Sequence, residues 1–163
     1  MNLTAAQIQT LKAGINGNAT AAAFPNTNDG NFACDAFLNG TASPTLSVWK
    51  TNVSGASVVS TISAQVGVFS ALTAVKQNQI IFMMQAQPID ASQSGIRQSF
   101  VDVFGSGSAT VIALTAISQR SATYFESFFA TGGPPATVAL DALGNSLFGQ
   151  LVDYATVQLA RNS

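Results

Sequence analysis

Almost no charge is available to this chain for building a water-facing surface. Six lysines and arginines and seven aspartates and glutamates make up 8 % of the 163 residues, and there is no histidine. A typical soluble domain is about one quarter charged. Whatever this chain folds into must therefore present Ser, Thr, Asn and Gln to solvent. Such a surface has little like-charge repulsion, and a net charge of −1 favours association. Neutral hydroxyls and amides cost far less to desolvate than ammonium or carboxylate groups. The composition suits a protein whose surface rests against other subunits.

The same scarcity excludes most chemistry. Without histidine, no Ser-His or Cys-His nucleophile pair can form within the chain. One cysteine and no histidine cannot supply the usual zinc ligands. The acids Asp29, Asp35, Asp90, Asp102, Glu126, Asp141 and Asp153 share no i, i+3 or i, i+4 spacing, so no local carboxylate pair stands out. No catalytic, cofactor-binding or metal site is expected, and the chain does not read as an enzyme. Lys12, Lys50, Lys76, Arg97, Arg120 and Arg161 are scattered, which gives no footprint for sequence-specific nucleic-acid binding or an anionic membrane. The longest apolar runs, Ile80–Met84 and Val111–Leu114, fall far short of the roughly 18 residues that span a bilayer. Met1 to Lys12 lacks the basic and apolar regions of a secretory signal. Cys34, flanked by Phe32, Ala33, Ala36 and Phe37, reads as a buried, inert thiol.

The hydrophobic content of 47 % supports a core, and its period is mostly helical. Thr4 with Gln7 forms a capping box, and Ile8, Leu11 and Ile15 make the stripe of a helix ended by Gly14 and Gly17. Asp29 is expected to cap a short helix carrying Phe32, Ala36 and Phe37. Val48 and Trp49 read as core anchors. Ser54 caps a helix to Ser63 with Val58, Val59 and Ile62 inward. A central helix from Leu72 to Gln85 is apolar nearly all round, which predicts burial of Phe82 and Met83. Asp90 with Gln93 reads as a second capping box, opening a helix to Phe104. The longest helix is expected from Ala109 to Ala130, stopped by Gly132-Gly133-Pro134-Pro135. Beyond it, Val138, Leu140 and Leu143, the turn Gly144-Asn145-Ser146, and Leu147 to Val152 allow a β-hairpin, so strand is expected only within Ala136–Val152. Asp153 caps a last helix through Arg161.

Short motifs carry little. Ser47-Val48-Trp49-Lys50 has the Ser-x-x-Lys spacing of penicillin-recognising enzymes without its companion motifs. Gly105-Ser106-Gly107-Ser108-Ala109-Thr110 precedes a helix but lacks the strand and lysine of a phosphate-binding loop; it reads as an interhelical link. Arg97 and Arg120 are expected in structural salt bridges or at solvated positions, with an intersubunit pair as the alternative.

Met1-Asn2-Leu3-Thr4-Ala5-Ala6-Gln7, Val48-Trp49-Lys50, Pro88-Ile89-Asp90 with Ile96-Arg97, Arg120 to Glu126 leading to Phe129-Ala130-Thr131-Gly132, and Val157 to Arg161 together resemble small neck-region virion proteins of tailed bacteriophages. The resemblance implies a head-to-tail adaptor: a mainly helical subunit that forms a ring of its own copies under the portal, contacts tail or neck proteins, and sends its C-terminal segment along a neighbour. It implies location in the virion after assembly in the host cytoplasm.

The expected fold is therefore mainly α: a helical bundle with a short β-hairpin near the C-terminus and a C-terminal assembly arm. A helical body over residues 1–135 and an arm over 136–163 form one domain overall. Leu147, Phe148, Leu151, Tyr154 and Arg161 are the candidate assembly interface. A capsid decoration or tail structural protein is the alternative, and a host-directed binding module is the alternative of another class.

Overall fold

The computed structural model describes residues 1–85, 87–138, 143, 146, 147 and 149–163. The elements run α1(Ala5–Gly17), α2(Ala19–Ala23), α3(Asn28–Leu38), β1(Ser47–Trp49), α4(Gly55–Ser63), α5(Ala74–Gln85), α6(Ser94–Phe104), α7(Ala109–Ile117), β2(Gln119–Ser121), α8(Tyr124–Phe129), β3(Ala130–Thr131), β4(Thr137–Val138) and α9(Tyr154–Asn162). The fold is mainly α. The chain forms two compact units, one made of Met1–Val48 with Ser121–Ser163 and the other of Trp49–Arg120. The boundary expected at residue 135 falls inside the first unit.

Local signals set most helix starts in the first unit. Thr4 and Gln7 cap each other's backbone as the capping box requires, and Ile8, Leu11 and Ile15 are buried. The helix does not stop at Gly14. It continues to Gly17, and Gly14 lies against the Phe128 ring, which leaves no room for a Cβ. Thr27, rather than Asp29, caps α3, and the buried side of that helix is Cys34 and Leu38 while Phe32 faces solvent. Helix α9 packs on α1 and α3, and α8 packs on the same two helices. Phe125 is fully buried, tilted against Phe129 with ring centroids 5.1 Å apart.

The small antiparallel hairpin is present, but earlier than its expected turn. β3 pairs with β4 with Ala130 opposite Val138 and Thr131 opposite Thr137. The chain reverses through Gly132–Pro135, with Gly132 at φ +82°, so the Gly-Pro cluster read as a helix stop serves as the turn. Leu140, Gly144, Asn145 and Phe148 of the expected hairpin lie outside the described residues. Strand also occurs at β1, β2 and β3, outside the expected window.

Among the described residues, the second unit has four helices, α4 to α7, around one apolar cluster. Val53, Val58, Ile62, Ile80, Ile89, Ala91, Phe100, Val103 and Leu114 form its centre. Ser54 caps α4 by accepting from Ser57 N–H, and Val58 and Ile62 point inward, but Val59 is exposed. The second capping box expected at Asp90 is absent. Asp90 instead accepts from Ser92 N–H at 2.9 Å and Gln93 Nε2 at 3.0 Å, forming a side-chain-closed turn before α6. Helix α7 ends at Ile117, so the long helix expected from Ala109 to Ala130 is two helices separated by β2. Its restart is a capping box, Thr123 with Glu126, inside a run whose apolar period concealed the break.

The largest correction concerns α5. Ile80 is its buried residue. Met83 is half-buried, and Phe82 is 73 % exposed. In denaturant titration of the dilute chain, Phe125→Ala is expected to cost about 3–5 kcal/mol and Phe82→Ala less than about 1 kcal/mol. Equal losses would show that α5 is turned the other way.

Candidate functional site

The C-terminal segment is the expected assembly interface, and its residues divide sharply. Leu147 is fully buried, whereas Leu151 is 67 % exposed. Phe148 lies outside the described residues. Tyr154 stacks on Phe32 with centroids 4.4 Å apart, and its hydroxyl donates to Asn28 Oδ1 at 2.6 Å. Arg161 is fully engaged within its own unit. Its guanidinium donates to the carbonyls of Ala21, Phe24 and Pro25 at 2.9, 2.9 and 3.0 Å, and to Asn31 Oδ1 at 2.9 Å. Those carbonyls lie at and just beyond the end of α2, where helical acceptors lack partners. The residue expected to reach a neighbour instead closes the turn between α2 and α3.

Two further clasps hold the segment. Asn39 donates Nδ2 to Val152 O at 2.8 Å and accepts from Val152 N–H at 3.0 Å. Buried Glu126 accepts from Thr123 N–H at 2.9 Å with one carboxylate oxygen and from Gly149 N–H at 2.7 Å with the other. With Leu147, Val157 and Ala160 also buried, the C-terminal segment belongs to the first unit's core and is not a detached arm. Deleting residues 136–163 should abolish the cooperative melt of this unit, and Arg161→Ala alone should cost about 2–3 kcal/mol. A truncated chain that keeps its full helical signal and melting cooperativity would restore the detached arm.

Electrostatics around the segment follow from this packing. Burial pushes the Cys34 thiol above its ordinary value, opposed by Arg161, which favours the protonated thiol over the thiolate. Burial, then the Asp153 charge, raises Asp35. Asp153 is held below its ordinary 3.8, first by the Thr156 N–H bond, donated at 2.7 Å. A depressed folded pKa contributes stability that is complete above the unfolded value and lost as pH falls through the folded one. Asp153→Asn keeps a capping side chain but removes that acid-dependent component. Melting followed from about pH 6 down to about pH 2 should be flatter below about pH 4 in the variant; an unchanged profile would show that Asp153 does not titrate with folding.

The short motifs weighed in the sequence make contacts within the second unit. The Lys50 ammonium donates to Ile117 O at 2.8 Å. Ser108 of the Gly-Ser link caps α7 by accepting from Val111 N–H at 3.2 Å. Arg97, expected in a salt bridge or at a solvated position, lies over the Trp49 ring at 4.5 Å and donates to Ala91 O and Ser92 O at 2.7 and 2.7 Å. Trp49, Ala91 and Arg97 help line a cavity of about 220 Å³, whose walls are otherwise Val58, Ile89, Phe100, Leu114 and their neighbours. Among the described residues, no group of three or more His, Cys, Asp or Glu could hold a metal ion.

What the sequence did not reveal is an exposed apolar surface on the second unit. Val59, Val66, Phe69, Val75, Ile81 and Phe82 are all solvent-facing there. A groove of about 460 Å³ runs between α4, Phe69 and α5, lined by Val59, Ile62, Ile80, Ile81 and Met84 among others. The available signal was α5 itself, apolar on several sides, which is equally the mark of a helix buried by its own fold and of one buried by a partner. Compared with known protein families, curated proteins and solved structures, the chain matches none.

Proposed function

We propose that this chain is a structural subunit of a tailed-bacteriophage virion, acting as a head-to-tail adaptor. In this reading it works through contacts with copies of itself in a ring and with portal and tail or neck proteins, and it catalyses nothing. The single observation that carries the structural role is the exposed apolar surface of the second unit. Large exposed apolar side chains lining one groove, as Val59, Phe69 and Ile81 do, are the mark of a partner-binding region. Here they sit in a chain whose charge is too sparse to rim them with repulsion. The phage setting is supported by the sequence resemblance described above.

The mechanism is assembly. The first unit is closed by its own clasps, and the second carries apolar surface available for burial. Each large apolar side chain transferred from water contributes roughly 1.5–3 kcal/mol, and few charges must be desolvated to gain it. Among the described residues no helix is long and apolar enough to cross a membrane. The reading assigns the exposed apolar side chains a protein partner.

Quantitative mass spectrometry of purified virions tests the reading. The protein should be present at the copy number of a portal ring. Presence at the copy number of the capsid shell would make it a decoration protein, and absence from virions would overturn the structural role in favour of a host-directed module.

A further inference from the structure

The cavity of about 220 Å³ in the second unit has two kinds of wall. Its floor is apolar: Val58, Ile89, Ala91, Phe100 and Leu114 are all buried. Its polar lining residues, Arg97 on α6, Thr115 on α7 and Ser118 just after it, are half-buried, as is Trp49. They make a rim with donors to spare. Arg97 uses only Nη1 on protein, for the carbonyls of Ala91 and Ser92. Among the described residues, Arg97 Nε and Nη2 and the hydroxyls of Thr115 and Ser118 reach no protein acceptor. The Nη1 bonds and the Trp49 ring under the guanidinium hold Arg97 in place, so its unused edge is pre-organised. No Asp or Glu lines the cavity. Asp90 and Asp102, the acids on either side of Arg97 in sequence, are bonded instead to Ser92, Gln93 and Gln98. A guanidinium beside apolar walls with no counter-ion gains from an anion.

We propose that this cavity is a binding site for a small apolar carboxylate, with the carboxylate on Arg97 Nε and Nη2 and the hydrocarbon on the buried floor. The site is independent of the assembly reading. Three features select this chemistry. First, the two oxygens of a carboxylate match one edge of a guanidinium in a bidentate pair, and the hydroxyls of Thr115 and Ser118 can donate to the lone pairs left over. Second, the floor carries no polar side chain, so what enters beyond the head group must be hydrocarbon. A bare inorganic anion would leave that floor uncovered. Third, the volume sets the size. A cavity of about 150 Å³ holds benzene; in proportion, one of about 220 Å³ holds a ligand of about nine non-hydrogen atoms, the size of benzoate. A long acyl chain or a nucleotide is too large.

Trp49 is the chain's only tryptophan and lines the cavity, so its fluorescence reports occupancy. The experiment titrates the purified full chain with benzoate at constant ionic strength, reading Trp49 emission and the heat of binding. Benzoate should saturate at one per chain with a dissociation constant of about 1 mM or lower. Benzamide has the same shape without the charge, and acetate has the head group without the ring; each should bind at least about tenfold more weakly. Val111 also lines the cavity, and Val111→Phe, which fills it with a ring, should abolish benzoate binding. Arg97→Gln should bind benzoate no better than benzamide. Benzamide binding as tightly as benzoate to the wild type overturns the site, and so does Val111→Phe binding benzoate like the wild type. A wild type that shows no saturation up to about 10 mM benzoate also overturns it, whether or not the protein is found in virions. Saturable binding that discriminates against benzamide and acetate, and is lost in Val111→Phe with wild-type far-UV circular dichroism, supports the site. These two readouts decide the matter even if Arg97→Gln, which loses its bonds to Ala91 and Ser92, fails to fold.

Discussion

A guanidinium that meets carbonyl oxygens instead of a carboxylate holds the first unit together. This unit is built from two pieces far apart in sequence, Met1–Val48 and Ser121–Ser163. Bringing them together costs chain entropy that local hydrogen bonds do not offset. Arg161 and Asn39 supply polar contacts between them, chiefly to backbone: Arg161 to the carbonyls of Ala21, Phe24 and Pro25, and Asn39 to Val152. Backbone groups are strong hydrogen-bonding partners present at every residue, so a chain with few charges can still anchor its ends firmly. Around these clasps the apolar set of Leu11, Ile15, Leu38, Phe125, Leu147 and Val157 is enclosed.

The second unit uses the same sparse chemistry differently. Arg97 and Lys76 are both directed to carbonyls of their own unit, which quiets two of its few charges. Its helices bury one apolar cluster and leave a second apolar set outside. A charge-poor chain has little to lose by covering that set, because hydroxyls and amides desolvate cheaply. One economy of composition thus accounts both for how the first unit closes and for why the second invites a partner.

How much could be read without coordinates depended on distance along the chain. Thr4, Ser54, Ser108 and Asp153 each cap a helix by reaching a backbone N–H three residues ahead, and such contacts are written in the local order of residues. The mainly helical class followed from the same short-range periodicity. The break at Ser118–Ser121 was harder to see, since Thr123 and Glu126 announce a new start inside a run that keeps an apolar period. The placement of the C-terminal segment was not legible at all. Arg161 looks identical in sequence whether it reaches a neighbour or closes the turn after α2, because its acceptors are more than a hundred residues away.

Residue type and short-range spacing were enough to dictate the class of fold, most helix starts, the burial of Ile8, Leu11, Ile15 and Cys34, and a surface with almost no charge. Each of these depends on neighbours within a few positions. Packing in three dimensions chose which side of α5 faces the core, made the final helix close the first unit, and turned a hairpin at the Gly-Pro cluster. Helical periodicity ranks faces by polarity, and α5 offers apolar residues on nearly every face. The choice between Ile80 and Phe82 therefore fell to the neighbours available for packing, which no local pattern records.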